Sequence, residues 1–174
     1  MKKFLKTIKP WFPSFLLFPV MVLLILNQGK FIPIVDHINL LIHEGGHGVF
    51  SVFGKFIHAL GGTLMQLIIP SMFIVFYIWK KKRISLQIAL IYLAQNLMNI
   101  SVYVSDARAK QLPLLGGKKV YHDWAYLLGE LNLLESDIII GEIIFFVSVA
   151  VLLFSLFVPM IFRDYRKVNI NLDL

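Results

Sequence analysis

The chain of 174 residues contains no cysteine and few charges: only 16% of it is Asp, Glu, Lys or Arg. The missing thiols exclude a disulfide framework, thiolate metal sites and a cysteine nucleophile. An ordinary globular domain is about a quarter charged and about half apolar, whereas this chain is 58% hydrophobic with a mean hydropathy of +0.77. Too little polar surface remains to face water on all sides, so lipid is part of the solvent. No Gly-x-Gly-x-x-Gly, P-loop or serine elbow occurs, and no segment repeats. The net charge of +7 is spread as a topology signal rather than as a nucleic-acid patch, and nucleic acid is not expected as a partner. The composition predicts one all-α domain: a polytopic membrane helix bundle with four or five hydrophobic helices.

Four clean stretches are long enough for a bilayer core, which needs about 20 apolar residues. They run over 10–29, 60–79, 84–105 and 138–162. The first follows a basic leader and resembles a signal peptide. No small-residue cleavage pattern follows it, so it is expected to stay as an anchor. A fifth apolar segment, about 36–54, carries His43, Glu44 and His47. With four crossings, 11 basic residues fall on one side and 6 on the other, while eight of the ten acids take the second side. That is a positive-inside pattern with both termini cytoplasmic. Letting the fifth segment cross divides the basic residues 9 to 8. Four crossings are therefore preferred, with the His43 segment entering from the outer face as a tilted or re-entrant helix.

The chemistry concentrates in His43-Glu44-Gly45-Gly46-His47. At helical pitch, residues four apart lie one turn up on nearly the same face. Two imidazoles can thus meet one metal ion while Glu44, about 100° round the helix, stands beside it. A general base takes a proton from metal-activated water at that place. Titratable groups within lipid by default mark function, and two imidazoles favour zinc over hard cations. The neighbouring glycines predict close approach of another helix or of a substrate backbone.

A catalytic zinc takes three protein ligands, so a third is needed from the same side. Asp106, at the end of the third clean span, and His122, in the following loop, rank equally. Asp123 stands behind them, either as a carboxylate orienting His122 or as the N-cap of the helix that begins at Trp124. Asp106 could equally serve as an ion-pair partner of Arg108. Gln66, Asn96 and Asn99 lie within spans, suited to hold a substrate backbone or to hydrogen-bond neighbouring helices. His37 and His58 read as interfacial residues, and the segment 111–117 as a turn or a cover over the site.

An H-E-x-x-H helix in lipid, followed by a later span with Asn99 and a terminal Asp106, resembles the site-2-protease type of intramembrane zinc metallopeptidase. The resemblance covers about the middle 80 residues. It implies zinc on His43, His47 and Asp106, Glu44 as the base, and a membrane or membrane-adjacent polypeptide as substrate. The sequence departs from the family's Leu-Asp-Gly signature, since Asp106 is followed by Ala107-Arg108, and His122-Asp123 has no counterpart there. A metal-binding sensor, carrier or assembly factor is the alternative. Its mark would be a closed site in which Asp106 and His122 both join the two imidazoles.

Overall fold

A computed structural model describes residues 9–112 and 121–161, so the basic leader, most of the 111–117 segment and the basic C-terminal stretch lie outside the described residues. Six α-helices are present and no strand occurs among the described residues: α1 (Phe12–Leu26), α2 (Val35–Phe50), α3 (Lys55–Trp79), α4 (Arg83–Ser105), α5 (Asp123–Glu130) and α6 (Asp137–Ile161). The all-helical bundle expected from composition is the architecture found.

Three segments are long and apolar enough to cross a membrane: Lys55–Trp79, Arg83–Ser105 and Leu134–Ile161. At 1.5 Å per residue, the 25 residues of α3 reach about 37 Å, beyond the roughly 30 Å of a hydrocarbon core. The first predicted span differs. Its helix is only 15 residues long, because prolines at 10 and 13 confine its start and the chain leaves the helix at Asn27, before Gly29 turns with φ 79°. The His43 helix ends close to expectation. Phe50 passes into a single 3-10 turn, and Gly54, at φ 87°, reverses the chain into α3.

Helix α4 is the central element. Its buried residues Ile91, Ala94 and Met98 form one core with Met21 of α1 and Leu152 of α6. A Cβ on Gly141 of α6 would lie 2.0 Å from Ser105 Oγ, so α4 and α6 approach to backbone distance there. At the far end from the site, Gln87 donates to Ser14 Oγ (2.8 Å) and to the Ser155 carbonyl (3.0 Å), tying α1, α4 and α6. Such bonds satisfy polar groups that lipid cannot. Large apolar side chains on α1, α3 and α6 face outwards, among them Phe15, Phe73, Phe146 and Phe154. This is the surface expected of a lipid-exposed bundle.

Helix α2 runs antiparallel to α3. Its Gly46 lies against Gly61, where a Cβ would meet the Gly61 carbonyl oxygen at 2.3 Å. The predicted close approach therefore holds for Gly46, whereas a Cβ on Gly45 or Gly48 would meet nothing within 4 Å. The eight-residue α5 is too short to hold itself as a helix. It is held by docking: Leu127 and Leu128 are buried, worth about 1.5–3 kcal/mol each, and Trp124 Nε1 donates to Thr63 Oγ1 at 3.2 Å.

Candidate metal centre

His43 and His47 project from α2 towards one point, and the docked α5 brings Asp123 to meet them. Among the described residues, these three are the group whose ligand atoms could hold one metal ion, all lying within 4.8 Å of one another. The far nitrogens of both rings are engaged. His43 Nδ1 donates to Gln66 Oε1 at 3.0 Å, and His47 Nδ1 donates to the His58 carbonyl at 2.8 Å. A carbonyl oxygen only accepts, so the proton of each ring sits on Nδ1 and each Nε2 offers a lone pair. Outer partners of this kind fix tautomer and orientation in metal-binding histidines.

Asp123 Oδ2 lies 3.2 Å from His43 Nε2 and 3.3 Å from His47 Nε2. Three acceptors facing one another call for a cation between them. Ligand atoms about 2.0 Å from one tetrahedral zinc stand about 3.3 Å apart, the distance Asp123 keeps to each imidazole, and the donor set of two imidazoles and a carboxylate suits that ion. Tyr103 braces the carboxylate: its hydroxyl donates to Asp123 Oδ2 (3.0 Å) and accepts from the Asp123 backbone N–H (3.2 Å).

The other two third-ligand candidates are placed elsewhere, a correction to their ranking ahead of Asp123. His122 is the N-cap of α5, its Nδ1 accepting from Ala125 N–H at 3.3 Å. That bond puts the remaining ring proton on Nε2, which points at Asp106 Oδ2 3.4 Å away. Its Nδ1 is thus occupied, while the buried Nε2 has Asp106 at ion-pair distance and no hydrogen-bond partner among the described residues. Burial lowers the His122 pKa, against the opposing pull of Asp106. Asp106 also closes the turn after α4 by accepting from Gln111 N–H (2.8 Å) and Leu112 N–H (3.0 Å). Because His122 takes the capping position, Asp123 is free to face the two imidazoles. Arg108 pairs with Asp137 of α6, Nη2 to Oδ1 at 2.7 Å, and not with Asp106.

Glu44 and the triad line one cavity of about 890 Å³, together with Gln66, Asn99 and Tyr103. Asn96 is fully buried, donates to the Tyr92 carbonyl (2.9 Å) and does not line it. Gly62 makes room for His43, since a Cβ there would stand 2.5 Å from the ring's Cε1 and Nε2. Sequence reasoning missed Tyr103 and the His58 carbonyl. Tyr103 stands one helical turn beyond Asn99, the one usable signal; a backbone carbonyl leaves none.

No family model matches the chain, and neither curated proteins nor solved structures provide a match. The likeness to site-2 proteases therefore rests on the quoted motif.

Proposed function

We propose that this chain is a membrane-embedded zinc-dependent metallopeptidase, with His43, His47 and Asp123 as metal ligands and Glu44 as general base. One observation carries the reading: two imidazole nitrogens and a carboxylate oxygen converge within 4.8 Å of one another beside a glutamate in a large cavity. A zinc ion held there would polarise a peptide carbonyl and acidify a water molecule. Glu44, on the same helical turn, accepts the water's proton and returns it to the leaving amine. Gln66 and the His58 carbonyl hold the two imidazoles in place, and Tyr103 holds the carboxylate. With Asp106 and His122 bonded to other groups, three ligands leave a coordination position for water and substrate. This favours hydrolysis over the closed four-ligand site of a sensor, carrier or assembly factor.

The basic clusters support a multi-pass topology with cytoplasmic termini, which puts the metal centre towards the outer face. The substrate is a membrane or membrane-adjacent polypeptide, entered into the cavity as extended chain. Elemental mass spectrometry of the detergent-purified chain tests the site. About one zinc per chain is expected, lost in His47→Ala and in Asp123→Ala. Glu44→Gln should keep the metal and abolish cleavage. A wild-type protein that takes up no zinc when it is supplied refutes the reading.

A further inference from the structure

The cavity has a second polar centre that the metal chemistry does not use. Asp36 lines it and is only 7% exposed. Seven residues separate it from His43, so both stand on the same face of α2, about 10.5 Å apart along the axis. Every bond its carboxylate makes is accepted. Its Oδ1 takes Gln95 Nε2 (2.6 Å), Asn99 Nδ2 (2.6 Å) and, at 3.5 Å, Asn39 Nδ2, while Oδ2 takes the Ile32 backbone N–H. Tyr92 completes the arrangement by donating to Asn39 Oδ1 at 2.8 Å.

These contacts explain why the group is a carboxylate: two separate oxygens must accept. The N-terminus of α2 offsets part of its charge, but neutral amides supply no counter-charge and no described side-chain cation lies within ion-pair distance of it. Each carboxylate oxygen offers about two lone-pair positions, and among the described residues Oδ2 receives one donor, so the open position is on Oδ2. Buried charges are expected to be paired, and an ionisable group at membrane depth has a partner as a rule. A bound metal is a poor candidate for that partner. The three surrounding amides turn N–H groups towards Asp36, and the oxygens of two are engaged: Asn39 Oδ1 by Tyr92 and Gln95 Oε1 by Asn39 Nδ2, the latter at 2.6 Å. A ligand that brings an ammonium or guanidinium group satisfies both the charge and the open acceptor position.

We infer that the Asp36 end of the cavity recognises a cationic group on the bound peptide, about three residues of extended chain from the bond at the metal. The inference takes the peptide nature of the ligand from the peptidase reading. Two sources supply this chemistry, a lysine or arginine side chain and a free N-terminal amine. The subsite therefore selects substrates carrying one of them in fixed register with the cut.

The test is peptide binding to the full-length, zinc-supplied Glu44→Gln protein in a non-ionic detergent, read by fluorescence anisotropy. The probes are C-terminally labelled nonapeptides of Ala, Leu and Ser. One lysine is moved along the chain and compared with norleucine at each position, and each peptide is made with a free or an acetylated N-terminus. One lysine position, or the free amine, is expected to tighten Kd at least about tenfold over its neutral counterpart, and this identifies the source. Adding Asp36→Asn should bring the pair within about twofold. Equal binding of charged and neutral peptides overturns the inference, and that comparison needs no second variant should Asp36→Asn fail to fold. A preference that survives Asp36→Asn also overturns it, as does failure of every peptide to bind. Zinc content measured on the same samples shows separately whether the metal reading stands.

Discussion

Gly62→Ala adds a methyl group 2.5 Å from Cε1 and Nε2 of His43. Carbon contacts are comfortable near 3.5–4.0 Å, so the ring must retreat by about 1 Å. Neither side has slack. Gly62 is in the interior of α3, whose backbone is fixed by its own hydrogen bonds, and Gln66 holds His43 Nδ1 at 3.0 Å. The displaced atom is the proposed ligand itself. Disturbing the partners that orient a ligand costs about 10–100-fold in metal affinity, or about 1.4–2.8 kcal/mol. Gly62→Ala should therefore weaken zinc binding by at least that factor. Alanine also favours helix over glycine by about 1 kcal/mol, so thermal melting with and without metal separates loss of binding from loss of fold. Competition against a fluorescent zinc chelator in detergent measures the affinity. Gly45→Ala is the control, because a Cβ there meets nothing within 4 Å. Unchanged zinc affinity in Gly62→Ala, or an equal loss in Gly45→Ala, would refute the assignment of His43 as a ligand.

Three further outcomes are expected. Tyr103→Phe removes both hydrogen bonds that brace Asp123 and should weaken zinc about tenfold or more in the same competition assay; wild-type affinity would show the brace to be idle. Because burial lowers the His122 pKa, the unfolded chain binds a proton that the folded chain resists. Metal-free protein should thus lose stability as pH falls below about 6.5 towards the lowered folded value. His122→Asn keeps an N-cap residue without a titrating ring and should flatten that part of the profile in melting curves, and an unaltered slope would exclude His122 as its source. Ile34, 74% exposed, sits at φ 72° in a tight turn closed by Val35 N–H donating to the Pro33 carbonyl. Such strain costs about 1–3 kcal/mol in a β-branched residue, so Ile34→Gly should raise the melting temperature, and a lower one would contradict the strain.

The helices were legible because hydropathy in lipid is a one-dimensional signal. Runs of about 20 apolar residues give α3, α4 and α6, and Gly54 marks where α2 must turn back. The two imidazoles and Glu44 were legible because one helical turn fixes their relation before any tertiary structure exists. The proposed third ligand was not, since it depends on how a loop docks. His122 and Asp123 are neighbours, and a single capping bond to Ala125 N–H decides which of them faces the histidines. Asp36 and Asn39 continue the His43 face at spacings of seven and four residues, a stripe readable from the sequence. Its partners Gln95 and Asn99 come from α4, and no local pattern links them to it.

The distance along the chain between the ligands sets an order of events during synthesis. Asp123 lies 80 residues after His43, and a ribosome adds about 5–20 residues per second. For about 4–16 seconds the His43–His47 pair exists without its carboxylate. Helices α3 and α4 must be made, and α5 docked, before the set is complete. On the proposed ligand set metal capture is therefore a late step, and a zinc ion held there would fasten α5 to the α2–α3 hairpin, which is made well before it.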